Sequence, residues 1–140
     1  MATVVMTDDT WPDVEIEQEI LGRAGHTLVR RAQNAAQPQT LEAFVEENGP
    51  AALMVTYSQI TPSVLDASPN LRHVARVGIG TDNVAIEAAT ERGILVTNVP
   101  DYCIEEVSDH ALALMFALTR GIVRYDRDVK SGNWSVASGA

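Results

Sequence analysis

The sequence predicts an α/β protein in which short strands form a parallel sheet and one long apolar helix follows them. Short apolar runs alternate with segments of helical periodicity over residues 3–98, which indicates successive βα units and a mostly parallel sheet. A wide apolar face then recurs at helical spacing over residues 104–127. The length of 140 residues is sufficient for one domain with a sizeable core.

Five strands are predicted from apolar runs of the length that is usual for buried strands of a parallel sheet. The runs cover residues 3–6, 27–31, 51–56, 71–77 and 94–98. Each run is separated from the next by a segment that can form a helix. The sequence therefore predicts a five-stranded parallel sheet flanked by helices.

The first two connecting helices are predicted from their end signals. Thr10 or Asp13 can cap the first helix, with Pro12 in its first turn, and Gly25 can end it. The second helix covers residues 41–47 and closes at the Asn-Gly-Pro run that follows it. Both helices carry apolar residues at helical spacing toward the predicted sheet.

The next two helices have similar signals. Thr61 precedes a proline and begins a short helix after the third strand. Asp82 or Asn83 can cap a helix over residues 84–92, and Gly93 supplies its left-handed end.

The helix predicted over residues 104–127 is apolar nearly all round. A helix of this kind is buried on several sides, so the sheet can cover one side and a further domain or a second copy of the chain the other. A homodimer through this helix is one expected arrangement. Residues 130–140 are predicted to be loop. The apolar positions are Val107, Ala111, Leu112, Leu114, Met115, Leu118 and Ile122.

Composition excludes several classes of function. The net charge of −9 disfavours a nucleic-acid partner, which requires clustered basic residues. The single cysteine, Cys103, excludes an internal disulfide, and no pair of histidines has the spacing of a metal site. The N-terminus has no signal-peptide pattern, and the longest apolar run, 111–118, is too short to cross a bilayer. We expect no metal, no membrane contact and a cytoplasmic location.

A glycine-rich turn after the fourth strand is the main candidate binding site. Gly78, Ile79 and Gly80 follow that strand directly, and such a turn can point bare backbone N–H groups at a small anion. It does not match the dinucleotide fingerprint, because Asn83 stands where the third glycine would fall. The alternative is a turn whose glycines have only conformational duties.

Other candidate residues carry weaker signals. Tyr57 and Ser58 follow the third strand at the sheet edge where ligands bind, and a ligand contact or an ordinary rim position is equally open. Asp82 and Asn83 are expected to hold the turn rather than to take part in chemistry. Asp109 and His110 are adjacent on the predicted helix and do not face each other, so they cannot form a catalytic pair. His110 is expected to be a buried, hydrogen-bonded structural histidine.

Five motifs give the chain its resemblance to a known family. They are Val-Gly-Ile-Gly-Thr-Asp-Asn-Val at 77–84, Ala-Ala-Thr-Glu-Arg-Gly at 88–93, Val-Thr-Asn-Val-Pro at 96–100, Glu-Val-Ser-Asp-His at 106–110 and Gly-Asn-Trp at 132–134. Together they resemble the D-isomer-specific 2-hydroxyacid dehydrogenases, which include phosphoglycerate dehydrogenases and the C-terminal-binding-protein branch. Residues 1–70 fit the family by pattern only.

The resemblance implies a two-domain parent enzyme of which this chain is the N-terminal part. Residues 1–100 would form the flavodoxin-like substrate domain, and 101–140 the crossing helix and linker to a Rossmann domain that binds NAD. The parent would transfer hydride between NAD(H) and a 2-hydroxy or 2-keto acid. The family's catalytic Arg, Glu and His would follow later, so no catalytic residue is assigned here. The chain alone is expected to be inactive.

The resemblance also assigns binding residues. The N–H groups of Ile79 and Gly80 would hold the substrate carboxylate, with Gly78, Tyr57 and Ser58 beside them. The cofactor NAD would be bound mainly by the missing domain.

At the nicotinamide end, Ile79, Pro100 and Val107 would contact the cofactor. The main alternative to an enzyme is a non-catalytic binding module, either co-repressor-like with a peptide ligand or specific for a small anion. A fragment that only dimerises is a third alternative.

Overall fold

The computed structural model describes residues 1–8, 11–31 and 39–134. The chain divides into two compact units, Met1–Tyr102 and Cys103–Ala140. The predicted cap at Thr10 and the end of the predicted loop, 135–140, lie outside the described residues.

The first unit contains a parallel sheet of five strands in the order β2-β1-β3-β4-β5. This confirms the predicted α/β class and the number of strands. Four of the five strands are one to three residues shorter than the apolar runs that predicted them, and β1 matches its run. The strands are β1 (Thr3–Met6), β2 (Thr27–Arg30), β3 (Ala52–Val55), β4 (His73–Arg76) and β5 (Leu95–Thr97).

Six helices are present in the described residues, four of them in the first unit. Those four follow the strands as connections of a parallel sheet, as predicted from the alternating pattern. They are α1 (Glu15–Arg23), α2 (Leu41–Asn48), α3 (Pro62–Asp66) and α4 (Ile86–Glu91). The second unit contains α5 (Ile104–Thr119) and α6 (Ile122–Lys130).

One row of apolar side chains crosses the whole sheet. Val29, Val5, Leu53, Val74 and Val96 are register partners from β2 to β5. The three central members are 0% exposed, and the two outer ones pack against the buried core. Because the strands are parallel and in register, their carboxyl ends meet at one edge of the sheet.

Two predicted helix ends are confirmed by their capping geometry. The side chain of Thr61 accepts the Val64 N–H at the start of α3. Gly49 ends α2 in the left-handed region at φ 49° and donates its N–H to the Val45 carbonyl. These local signals could be read from the sequence because each cap involves neighbouring residues.

The predicted start of α1 is wrong. The residue before the helix is Val14, it makes no side-chain cap, and neither Asp13 nor Pro12 is part of the first turn. Val14 is 2% exposed, and its carbonyl accepts the Gln18 N–H. Burial of this valine fixes where the helix starts, and no polar cap is needed.

The predicted start of α4 is also wrong. The residue before α4 is Ala85, so neither Asp82 nor Asn83 caps it. Val84 instead pairs with Ile60 in an isolated parallel bridge. That pairing holds the backbone extended and delays the helix, although Gly93 follows its end with φ 65° as predicted.

The long helix predicted over residues 104–127 is divided in two. Gly121 separates α5 from α6 with a left-handed φ of 62°, and its N–H donates to the Leu118 carbonyl. The apolar periodicity continues through this glycine, so the pattern concealed the break. Glycine in this conformation is a usual helix end.

The apolar face of this helical region is exposed in the single chain, and its expected burial against a further domain or a second copy of the chain stays a prediction. No residue of α5 or α6 is buried, and Leu118 is 83% exposed. His110 is exposed too, so it is not the buried structural histidine that was predicted. Within its own unit α5 is in contact with α6, which covers too little of its surface to bury it. No helix in the described ranges is long and apolar enough to cross a membrane.

We expect Leu53→Ala to destabilise the first unit strongly. Leu53 is 0% exposed at the centre of the sheet, and removing a buried leucine side chain costs about 2–5 kcal/mol. Leu95→Ala is the matched control, because Leu95 is 61% exposed on the edge strand and a surface change costs about 0.5 kcal/mol or less. Urea unfolding of both variants measures the difference. Equal losses would contradict the described core.

Candidate functional site

The carboxyl edge of the sheet brings together the candidate residues of the first unit. Asp8 follows β1, Tyr57 and Ser58 follow β3, and the turn 78–80 follows β4. The predicted site residues on this unit therefore lie at the edge where parallel sheets usually bind ligands.

The turn at 78–80 is held from one side by the segment after β5. The Val99 N–H donates to the Gly78 carbonyl at 3.0 Å, and Asn98 Nδ2 donates to the Ile79 carbonyl at 2.8 Å. The N–H groups of Ile79 and Gly80 donate to no atom of the described residues. Ile79 is 40% exposed and Gly80 is also exposed. Two adjacent backbone donors in exposed residues thus have no acceptor within the described structure.

Gly78 has a structural reason to be glycine. Its φ is 155°, and a Cβ at this position would overlap the guanidinium of Arg76. The arginine side chain therefore lies directly against the turn. The glycine motif alone did not predict that the Arg76 side chain lies against it.

Arg76 is a candidate site residue that the sequence reasoning missed. Its Nη1 donates to the Val77 carbonyl at 2.6 Å, while its Nε is buried and has no partner among the described residues. The signal was available, because a basic residue stands at the end of a buried strand immediately before the glycine turn. The side chain also lines a cavity of about 240 Å³, together with Thr56, Tyr57, Gln59, Asp82 and Asn83.

Asp8 is a second residue that the sequence reasoning missed. The residue is 2% exposed, and its carboxylate accepts the N–H of Thr56 at 2.8 Å and that of Tyr57 at 3.1 Å. The hydroxyls of Ser58 and Thr7 donate to the same carboxylate at 2.7 and 2.8 Å. Asp8 therefore joins the end of β1 to the end of β3.

The hydrogen bonds determine the charge of Asp8. Burial raises its pKa, but the donors from Thr56, Ser58 and Thr7 together lower it further, so the net pKa lies below the ordinary 3.8. The carboxylate is ionised at neutral pH. A buried anion of this kind is stable only because each of its oxygens accepts hydrogen bonds.

Asn83 caps no helix, and its hydrogen bonds reach residues 56–60 rather than the turn at 78–80 that it was predicted to hold. Its Nδ2 donates to the Ser58 carbonyl at 2.9 Å and to the Thr56 carbonyl at 3.4 Å. Its own carbonyl accepts the Ile60 N–H at 2.7 Å. Residues 56–60 are therefore fixed between Asp8 on one side and Asn83 on the other.

Tyr57 and Ser58 have different surroundings. The Tyr57 side chain is 70% exposed at the cavity, and the structure therefore leaves its ring available to a ligand. The Ser58 hydroxyl donates its hydrogen to Asp8, so only its oxygen lone pairs remain for another partner.

The residues assigned to the nicotinamide end are exposed and apolar. Ile79 and Pro100 are exposed in the first unit, and Val107 is 61% exposed on α5 in the second. Such side chains suit the face of a planar ring. Phosphate groups find no glycine-rich cradle here, because the sequence contains no Gly-x-Gly-x-x-Gly motif. No metal-binding cluster occurs in the described parts of the chain.

We expect Asp8→Asn to reduce stability most at neutral pH. The folded-state pKa of Asp8 lies below the ordinary 3.8, so its contribution is present above pH 3.8 and is lost as the pH falls through the folded value. At pH 7 the loss should be about 1–2 kcal/mol, because charged hydrogen bonds become neutral ones. Urea unfolding at several pH values measures this.

The matched control for this prediction is Asp66→Asn. Asp66 makes an exposed ion pair with Arg92, and exposed pairs contribute little to stability. The difference between wild type and Asp8→Asn should shrink toward pH 3. A difference that stays constant with pH would contradict the ionised, hydrogen-bonded carboxylate.

Sequence comparison relates the chain to enzymes that act on 2-hydroxy acids. A family model described as "D-isomer specific 2-hydroxyacid dehydrogenase, catalytic domain" matches residues 4–135. A glyoxylate reductase of Pyrococcus furiosus is 42% identical over 84 residues, which are 60% of this chain and 25% of the relative. A D-3-phosphoglycerate dehydrogenase of Archaeoglobus fulgidus is 40% identical over 84 residues, 60% of this chain and 16% of the relative.

Solved structures share the fold. The TT0316 protein from Thermus thermophilus superposes with a TM-score of 0.75 at 31% identity, over 96% of this chain and 42% of that chain. D-lactate dehydrogenase from Aquifex aeolicus, solved with NAD and lactic acid, gives a TM-score of 0.75 at 24% identity, over 95% of this chain and 38% of that one. The chain thus spans a quarter or less of these two curated relatives and about two fifths of these solved chains. Since the family model covers most of its length, the chain belongs to the D-isomer-specific 2-hydroxyacid dehydrogenase family.

Proposed function

We propose that this chain is the part of an NAD-dependent 2-hydroxyacid dehydrogenase that binds the substrate carboxylate. The observation that carries the proposal is the pair of adjacent backbone N–H groups at Ile79 and Gly80, which donate to no described atom and belong to exposed residues at the carboxyl edge of the sheet. Family membership supports the reaction class, and the edge location supports a ligand role.

The geometry suits a small carboxylate. Successive backbone N–H groups in a turn form an anion-binding concavity, and each hydrogen bond to a charged acceptor is stronger than a neutral one. The guanidinium of Arg76 lies against Gly78 and adds a positive charge at the start of the turn, while the Asp82 carboxylate lies near Gly80 at its end. The exposed ring of Tyr57 and the polar cavity next to it would form one wall around the rest of the acid.

The substrate class follows from these groups together with the relatives. A 2-hydroxy or 2-keto acid presents its carboxylate to the turn and its neighbouring carbon to the cofactor. Ser58 lies between two residues that line the cavity, Tyr57 and Gln59, and would contact the acid through its oxygen lone pairs, since its hydrogen is directed to Asp8. No residue of this chain is assigned a catalytic role.

The cofactor proposed for the whole enzyme is NAD, which supplies or accepts the hydride when bound. Ile79 and Pro100 would offer apolar surface to the nicotinamide ring, and Val107 is proposed for the same end. The phosphates would be held by residues outside this sequence, because no phosphate-binding motif is present in it. The proposed partner for the exposed apolar face of α5 is a second copy of the chain in a homodimer.

We expect D-lactate to shift the amide resonances of Ile79 and Gly80 in a ¹⁵N NMR titration of the chain. Gly80→Pro removes one of the two donors, so binding should weaken by about ten- to a hundredfold, the effect of losing one hydrogen bond to a charged group. Gly80→Ala is the control, because it keeps the N–H and its Cβ meets only the Asp82 carboxylate, at 3.3 Å. The test uses variants whose core resonances match wild type.

Two outcomes would contradict the carboxylate site. One is a wild-type titration in which lactate leaves the amides of residues 79 and 80 unchanged. The other is equal lactate affinity in folded Gly80→Pro and Gly80→Ala. A chloride titration at the same ionic strength separates specific carboxylate binding from a general salt effect.

We expect no turnover from the 140-residue chain supplied with NADH and glyoxylate. The sequence supplies the carboxylate site but no dinucleotide phosphate loop and no assigned catalytic residue. Absorbance at the NADH band measures the reaction, and lactate binding by NMR is the control for a folded site. Sustained oxidation of NADH that depends on glyoxylate would contradict the division of roles proposed here.

A further inference from the structure

We propose that Asp8 is a positioning residue for the anion-binding turn at 78–80. It makes no contact with the turn itself; it acts through residues 56–58 and Asn83. The inference rests on the proposed function, since it concerns how the same site is held. It adds a residue from the end of β1 to a site whose other members follow β3 and β4.

The first link runs from Asp8 to the end of β3. The carboxylate accepts two backbone N–H groups and the Ser58 hydroxyl, and these donors are 48 to 50 residues away in the sequence. The Thr7 hydroxyl donates to the same group from the strand side. Because the carboxylate is 2% exposed, water does not replace these bonds easily.

The second link runs from residues 56–58 to the turn after β4. The carbonyls of Thr56 and Ser58 both accept the side-chain amide of Asn83, three residues beyond Gly80. The Ile60 N–H donates to the Asn83 carbonyl, and Ile60 pairs with Val84. Residues 56–60 therefore make four hydrogen bonds to residues 83–85, the segment that follows the turn. Two of them involve residues 56–58, which Asp8 holds, and the fourth runs from the Ala85 N–H to the Ile60 carbonyl and completes the bridge.

The chemistry at position 8 favours an ionised carboxylate over any neutral group. A carboxylate offers two acceptor oxygens and no donor, which matches four donors that converge on it. An asparagine keeps one acceptor oxygen, and an alanine leaves the N–H groups of Thr56 and Tyr57 without a partner. Both changes should loosen residues 56–58, and alanine should do so more than asparagine.

The test compares Asp8→Ala, Asp8→Asn and the control Asp66→Ala in the full 140-residue chain. The first readout needs no ligand: both Asp8 variants should shift the amide resonances of residues 79 and 80, whereas the exposed Asp66 variant should not. The second is D-lactate affinity, which should fall by about three- to tenfold in Asp8→Ala and less in Asp8→Asn. If Asp8→Ala does not fold, Asp8→Asn and Thr7→Val supply both readouts.

The outcomes separate this inference from the proposed function. Folded Asp8 variants that shift residues 56–58 but leave the resonances of 79 and 80 and the lactate affinity unchanged would overturn the positioning role. A wild-type chain that does not bind lactate would overturn the carboxylate site, while the ligand-free shifts would still decide whether Asp8 controls the turn. Shifts at 79 and 80 with weaker lactate binding would support both.

Discussion

The buried carboxylate of Asp8 is the interaction on which, in our proposal, the order of the carboxyl edge of the sheet depends. An ion with 2% exposure is stable in a protein only when hydrogen bonds replace its lost hydration. Asp8 accepts these hydrogen bonds from the first residues after β3, so the ends of the neighbouring strands β1 and β3 are held together. Asn83 extends the same connection to the segment after β4. The edge of the sheet is therefore a hydrogen-bonded unit rather than three independent loops.

This arrangement explains which backbone donors remain open at the edge. The N–H groups of Thr56 and Tyr57 are occupied by an internal anion, and they are not available to a solute. Those of Ile79 and Gly80 have no internal acceptor in the described structure, although the carbonyls of Gly78 and Ile79 are both hydrogen-bonded. The carbonyl groups of the turn are thus hydrogen-bonded within the protein, whereas two of its N–H groups have no internal partner. An anion-binding site requires N–H groups of this kind.

Much of the fold could be predicted from the sequence, because its signals are local. Apolar runs indicated the five strands, and Gly49 and Thr61 marked helix ends through contacts with near neighbours. The break at Gly121 was missed because the apolar pattern continues across it. The exposure of His110 was missed because the pattern of a helix shows which face is apolar but not what covers it.

Part of the candidate site could also be predicted, because some of its residues are marked by local sequence signals. The glycine turn and Tyr57 could be read from their positions at strand ends, whereas the importance of Asp8 depends on donors that lie about 50 residues away in the sequence. No local pattern indicates that pairing, and it becomes visible only when β1 and β3 are seen to be neighbours. Arg76 is intermediate, since its place before the turn was evident but its buried, unpartnered Nε was not.

The most direct test of the central claim is a crystal structure of the chain with D-lactate. The proposed function predicts one carboxylate bound at the turn, with its oxygens about 2.7–3.2 Å from the backbone nitrogens of both Ile79 and Gly80. A structure in which lactate binds elsewhere, or in which these two N–H groups point into the protein, would contradict it.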